Sequence, residues 1–245
     1  MMLNKIVEVN NNKISYILKD KKKYGKEVSV VFLCGYRSDK SGNKALFIES
    51  LRKKIGFEYL RFDYSGHGKS SGEIEKLLIS DWINESKILI ERLTNYPLLL
   101  IGSSMGGWIS FYLSLILKKK ILAIIGIAAA VDFTIRLEKK LSKTKDKLIV
   151  KSEYSNYPYT FTKKFINNSK KFLLLKKNIR IKYKSTLLYG LKDESVSLDS
   201  QIELLKRLKH EEASLMILKK SDHRMSSKKD LKILEETILK NIKYS

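Results

Sequence analysis

Pro97-Leu98-Leu99-Leu100-Ile101-Gly102-Ser103-Ser104-Met105-Gly106-Gly107-Trp108 is the stretch on which the fold turns. Pro97 to Ile101 is apolar without alternation, as in a parallel strand buried on both faces. Trp108 to Leu117 reads as a buried helix. Between them, Gly102-Ser103-Ser104-Met105-Gly106 matches Gly-x-Ser-x-Gly, a short pattern that gains its meaning from this strand-to-helix setting. A serine there sits on a strained turn where larger neighbours clash, and the helix N-terminus behind it favours developing negative charge. Ser104 is therefore the candidate nucleophile; Ser103 lacks a glycine two residues before it.

Strands and helices alternate on both sides of this turn. Ile6 to Val9 and Lys13 to Leu18 flank Asn10-Asn11-Asn12 and read as a hairpin. Val28 to Leu33 and Glu58 to Phe62 read as strands, and Asn43 to Lys54 and Asp81 to Leu93 as amphipathic helices. Downstream, Ile121 to Ile127, Thr186 to Tyr189 and Ser214 to Leu218 are strands, while Asp199 to Leu208 and Lys228 to Lys240 are helices. The pattern predicts an α/β fold, a mostly parallel central sheet with helices on both faces. It fails between Asp132 and Lys184, a lysine-rich stretch with Tyr154, Tyr157, Tyr159, Phe161 and Phe165 near Pro158. That reads as a cap, helical in part, whose aromatics line a pocket. One domain over residues 1–245 with a cap at about 132–184 is the expected organisation.

A serine hydroxyl needs a base. The chain has three histidines. His67 precedes the elbow, whereas hydrolases built on such an elbow place the base last. His210 ends a lysine-rich helix. His223, in Ser221-Asp222-His223-Arg224-Met225 after the last strand, falls at the same sheet edge as Ser104 and is the candidate base. Asp193 follows the Thr186 to Tyr189 strand and completes the order Ser, Asp, His; Asp132, after the preceding strand, is its rival. Asp222, adjacent to His223, is expected to point elsewhere. The oxyanion requires two amides, for which the N–H groups of Met105 and Tyr36 are nominated. Cys34 reads as a small buried residue rather than a rival nucleophile.

The net charge is +23, from 49 basic and 26 acidic residues. Nearly all of the positive charge is lysine spread along the chain, so no specific nucleic-acid binding is expected, and a weak contact with an anionic membrane surface is its expected use. A single cysteine excludes an internal disulfide. Met1 to Asn10 has no signal-peptide apolar core, and a cytoplasmic enzyme is expected. No metal or cofactor is expected, and the oligomeric state is left open.

Further stretches carry a resemblance. Phe32-Leu33-Cys34-Gly35-Tyr36-Arg37-Ser38-Asp39, Arg61-Phe62-Asp63-Tyr64-Ser65-Gly66, the elbow with Trp108, Gly190-Leu191-Lys192-Asp193 and Ser221-Asp222-His223-Arg224-Met225 resemble one α/β-hydrolase subfamily, that of the mitochondrial palmitoyl-protein thioesterase with an abhydrolase domain. The resemblance runs over roughly residues 28 to 240 and is weakest in the cap. Cys34 departs from it, standing where relatives often carry proline. It implies removal of acyl groups from thioesters or oxygen esters, including acylated cysteine and acyl glucuronides, with Ser104, Asp193 and His223 at the matching positions. The alternatives are a general carboxylesterase using the same residues on small oxygen esters, and a non-catalytic basic binding protein on the same fold.

Overall fold

In the computed structural model, residues 4–141, 146–151 and 158–242 are described. Lys5–Val9 (β1) and Asn12–Lys19 (β2) form the N-terminal hairpin. Asn10 and Asn11 at its tip take positive φ, 50° and 65°, a region asparagine tolerates better than most residues. The alternation then proceeds through Ser29–Leu33 (β3), Asn43–Ile55 (α1), Glu58–Phe62 (β4), Ile79–Leu93 (α2), Leu98–Ser103 (β5), Met105–Ile116 (α3) and Ile121–Ile127 (β6). Every residue of β3, β4 and β5 is buried, which accounts for the apolar runs Val30 to Leu33 and Leu98 to Ile101, while β4 also buries the charged Glu58 and Arg61.

Next come Thr134–Leu141 (α4), Lys147–Val150 (β7), Tyr159–Thr162 (β8) and Lys163–Ser169 (α5), with a 3₁₀ turn at Lys170–Phe172. Lys184–Gly190 (β9), Leu198–Arg207 (α6), Ala213–Leu218 (β10) and Lys228–Ile242 (α7) complete the chain. The main sheet has eight strands in the order β1-β2-β4-β3-β5-β6-β9-β10. It is parallel from β4 to β10 and antiparallel only at the N-terminal hairpin and its junction with β4. This is the α/β-hydrolase architecture, and no helix among the described residues is long and apolar enough to cross a membrane.

Most boundaries shift by one or two residues from the sequence expectation, and three departures have a clear physical reason. Helix α2 starts at Ile79 rather than Asp81, because the Asp81 carboxylate accepts the Leu78 N–H at 2.8 Å and caps the first turn. Helix α3 starts at Met105 rather than Trp108, since the turn after Ser104 is already its first turn. Between β6 and β9 the chain forms helices as expected, but also a separate antiparallel ribbon of β7 and β8. At four residues each, those strands are too short for alternation to announce. Tyr154 and Tyr157 lie outside the described residues. Tyr159 and Phe161 stand on the ribbon and Phe165 on α5.

Specific polar ties join this stretch to the sheet. The Asp132 carboxylate accepts the Leu174 N–H at 3.0 Å and the Leu175 N–H at 2.8 Å. Trp108 donates its indole N–H to the Phe172 carbonyl at 3.0 Å, and Tyr36 donates its hydroxyl to the Thr160 carbonyl at 2.9 Å.

Candidate active site

Ser104 sits between β5 and α3 with φ 54° and ψ −120°, a strained conformation for a residue with a side chain. Ile127 O accepts its N–H at 2.9 Å, and its own carbonyl accepts the Ala130 N–H at 3.0 Å, so neighbouring backbone holds the strain in place. Gly106 explains the motif: a Cβ there would meet Leu33 O at 2.1 Å and Cys34 O at 2.5 Å. The start of α3 therefore lies directly on the end of β3, bringing the loop after β3 to Ser104.

His223 reaches the same point from the loop after β10. Its Nε2 lies 3.1 Å from Ser104 Oγ and its Nδ1 2.7 Å from Asp193 Oδ2. The other oxygen of Asp193 accepts the Ser195 and Val196 N–H groups, each at 2.8 Å. Two amides and one imidazole thus fix the carboxylate and the imidazole tautomer together. Gly190 lets the acid and base loops close up, because a Cβ there would meet Ser221 O at 2.4 Å and Asp222 O at 2.5 Å. Leu191 and Lys192 donate across to Leu218 and Ser221, joining the two loops by backbone.

The other candidates lie elsewhere. Asp132 is taken up by Leu174 and Leu175; burial raises its pKa, and those amides pull it back. Asp222 is exposed and accepts the Met225 N–H at 3.1 Å. The Nδ1 of His210 accepts the Glu212 N–H at 3.1 Å. His67 is buried among Tyr36, Tyr64 and Trp82, with its Nδ1 3.0 Å from Ser65 O, and burial lowers its pKa to about 4. Cys34 is 1% exposed, and burial with the Asp63 charge pushes its thiol well above the usual range, so little thiolate forms.

Of the nominated oxyanion donors, Met105 is the first residue of α3 and Tyr36 follows Gly35, whose ideal Cβ position is 3.2 Å from Ser104 Cβ. The Tyr36 ring contacts Tyr159, Phe161 and Phe165 of the inserted stretch as well as Trp82 and His67 below. Burial pushes its phenol up to about 12, so the hydroxyl is a donor throughout the working range. A cavity of about 310 Å³ opens at Ser104, Met105 and His223; Phe133, Leu137, Val150, Phe161 and Val196 give it an apolar wall, and Arg136, Lys140, Lys151 and Glu194 also line it.

A family model described as serine aminopeptidase S33 (Hydrolase_4) matches residues 25–180, more than half of the chain. The chain belongs to that hydrolase family. It is 34% identical over 222 residues to the palmitoyl-protein thioesterase ABHD10, mitochondrial, of Bos taurus, covering 87% of this chain and 72% of that protein. With the Homo sapiens protein of the same name it shares 33% over 226 residues, 89% of this chain and 74% of the relative. The solved structure of mouse alpha/beta hydrolase domain-containing protein 10 superposes with a TM-score of 0.89 at 26% identity, covering 99% of both chains.

These relatives correct one expectation. They are named mitochondrial, which points away from the cytoplasmic assignment. That assignment rested on the first ten residues, and a hydrolase fold carries no information about compartment, because targeting is read from separate segments.

Within this hydrolase family member, sequence reasoning also passed over a buried ionic frame. Lys40 Nζ lies 2.5 Å from Asp63 Oδ2, with side chains 2% and 1% exposed. Asp63 also accepts the Lys40 N–H at 2.6 Å and the Lys69 N–H at 2.9 Å. Arg61 pairs with buried Glu49 and donates to the Lys40 carbonyl. Together they pin the loop that carries Gly35 and Tyr36. The signal was present in Arg61-Phe62-Asp63-Tyr64, but nothing in that segment says which lysine it meets.

Proposed function

We propose that the protein is a serine acyl hydrolase acting on acyl thioesters or esters through an acyl-enzyme. Ser104 is the nucleophile, His223 the general base and acid, and Asp193 the anion that orients His223 and stabilises its imidazolium. The amides of Met105 and Tyr36 receive the oxyanion. What supports this reading is the chain of hydrogen bonds from Ser104 Oγ through His223 to a carboxylate held by two amides.

His223 takes the Ser104 proton as Oγ attacks the acyl carbonyl. The tetrahedral intermediate collapses, and the leaving group departs with that proton. Water then enters, loses a proton to His223, attacks the acyl-enzyme and restores Ser104. The acyl chain lies along the apolar wall of this cavity, and residues 132–184 act as a cap that supplies Phe133, Leu137, Val150 and Phe161 to that wall. Each methylene buried there adds about 0.8 kcal/mol of binding, so longer acyl chains gain until the cavity is full. The relatives' name, palmitoyl-protein thioesterase, favours a thioester of a long acyl chain. The cap also carries Ile149, 59% exposed, beside Lys147 and Lys151, which suits a weak contact with an anionic membrane surface.

The test is hydrolysis of a long-chain acyl thioester and its matched oxygen ester by the parent and by Ser104→Ala. Thioester turnover that falls roughly 10⁴-fold or more in the variant supports the reading. Turnover of short oxygen esters alone replaces it with a general carboxylesterase. Equal rates for parent and variant remove the serine mechanism and leave a basic binding protein.

A further inference from the structure

The central sheet has two outer strands, and they are guarded differently. β1 carries Lys5 and Glu8 within five residues, and charges on an edge discourage another strand from pairing there. β10 runs Ala213-Ser214-Leu215-Met216-Ile217-Leu218, with no charge, proline or glycine in it. It pairs with β9 on one side and, among the described residues, with no strand on the other. Met216 and Ile217 are 44% and 45% exposed. Neighbouring residues of a strand face opposite sides of a sheet, so both sides of this edge are open. We propose that β10 pairs with β10 of a second copy of this chain, antiparallel about a two-fold axis at Met216, giving a dimer with one continuous sheet.

The backbone presents the right groups. The Glu212 and Leu218 carbonyls accept from Ser185 and Leu191, on the β9 side. Backbone groups alternate sides along a strand, so Ala213, Leu215 and Ile217 turn theirs to the open edge.

The sequence around the strand is complementary to itself. Glu211-Glu212 stands before the apolar run and Lys219-Lys220 after it. An antiparallel twin sets the acidic end against the basic end, whereas a parallel partner sets like charge against like. A two-fold axis perpendicular to the sheet keeps each side chain on its own face, so only residues an even number of positions apart can stand opposite each other. With the axis at Met216, that residue faces its twin, Leu215 faces Ile217, and Glu212 faces Lys220. Moving the axis one residue either way sets Glu212 against Leu218 or Leu215 against Lys219. Glu212 holds Lys184 of its own chain at 2.6 Å, yet its side chain is 54% exposed and open to a second cation. Rim charges of this kind add little affinity and fix register and orientation instead.

Antiparallel pairing points the C-terminal ends of the two parallel strand sets in opposite directions. The two Ser104 sites therefore open at opposite ends of the joined sheet, and neither blocks the other. The net charge of +23 on each chain opposes association at low salt. Screening within about 8 Å at physiological ionic strength removes most of that repulsion.

The experiment is sedimentation velocity of the full chain over a range of concentrations, in salt of about 0.02 and 0.3 M. The expected result is a mass of 28.4 kDa when dilute, doubling with a dissociation constant on the order of 10 μM at the higher salt and weaker at the lower. Met216→Lys puts two ammonium groups face to face and is expected to weaken the dimer about tenfold or more, with the thermal melt little moved because Met216 is exposed. Met216→Cys is expected to cross-link to its twin under mild oxidation, since the facing Cα atoms of such a pair lie about 4.5 Å apart, within disulfide reach. Ser214→Cys, which faces Leu218, is expected not to cross-link, and Cys34 is buried and takes no part. A parent that stays monomeric at about 200 μM in the higher salt overturns the proposal. So does a dimer that Met216→Lys leaves untouched, or one that Ser214→Cys cross-links and Met216→Cys does not. The acyl-hydrolase reading stands or falls separately, on the turnover assays with Ser104→Ala.

Discussion

Ser104, Asp193 and His223 hang from the C-terminal ends of β5, β9 and β10, whereas the described residues between β6 and β9 stand beside them on a four-residue ribbon, two short helices and a few polar ties. The first region is held by parallel backbone ladders and buried apolar strands, so its geometry follows from the core. The second sends Leu137, Phe165, Ile166 and Leu174 into the same core, and is joined to the first by rings packed on Tyr36 and by single hydrogen bonds rather than by a backbone ladder. A site hung from the first region tolerates variation in the second, which is how one scaffold admits different substrates.

The difference is testable, beginning with the change that breaks it most. Asp193→Asn is expected to lower kcat about 10⁴-fold with the melting transition almost unmoved, since the imidazole loses its orienting anion while the strands stay packed. An activity loss below tenfold in steady-state assays sinks the assignment of Asp193. Asp63→Ala strands the buried Lys40 ammonium and is expected to cost about 3–5 kcal/mol in denaturant unfolding. A cost under about 1 kcal/mol would show the loop to be held by other contacts.

Burial supplies a pH test on the sheet side. His67 has a folded pKa near 4 against an ordinary value of 6.5. The unfolded chain therefore binds more protons between those values, and stability is lost as pH falls from about 6.5 to 4. The window corresponds to about 3 kcal/mol, and His67→Phe is expected to flatten it in thermal melts taken across that range. An unchanged pH slope in the variant assigns the acid sensitivity to other groups. The smallest effect belongs to the stretch between β6 and β9. Tyr36→Phe keeps the ring and removes the bond to Thr160 O, worth about 1 kcal/mol. It is expected to raise KM severalfold for long acyl chains with kcat on short esters little changed. An equal loss on both would place the Tyr36–Thr160 bond in the chemical step.

Much of the sheet side was legible because its signals are local. An unbroken apolar run marks a strand buried on both faces, and two glycines around Ser104 mark a turn where backbone meets backbone. That His223 and Asp193 stand beside Ser104 was legible from chain order, since each follows a strand that ends at the same edge. The β7–β8 ribbon was not legible, because a four-residue strand offers no periodicity. Tyr36 was read only in part: its place after Gly35 marks it as an amide candidate, while its ring and hydroxyl reach Phe161 and Thr160 of β8.

Local sequence, then, determined the alternation of strands and helices, the strained serine turn and the order Ser, Asp, His, since each depends on neighbours within a few positions or on the direction of the chain. Tertiary structure alone decided that Asp132 fastens Leu174 and Leu175 while Asp193 meets His223, because both aspartates follow parallel strands and only loop closure through Gly190 separates them. It also decided that Lys40 meets Asp63 and that Arg37, Lys44 and Arg224 share one cavity. Among many lysines of equal local character, pairing is set by distance in the folded chain, and sequence separation carries no information about that distance.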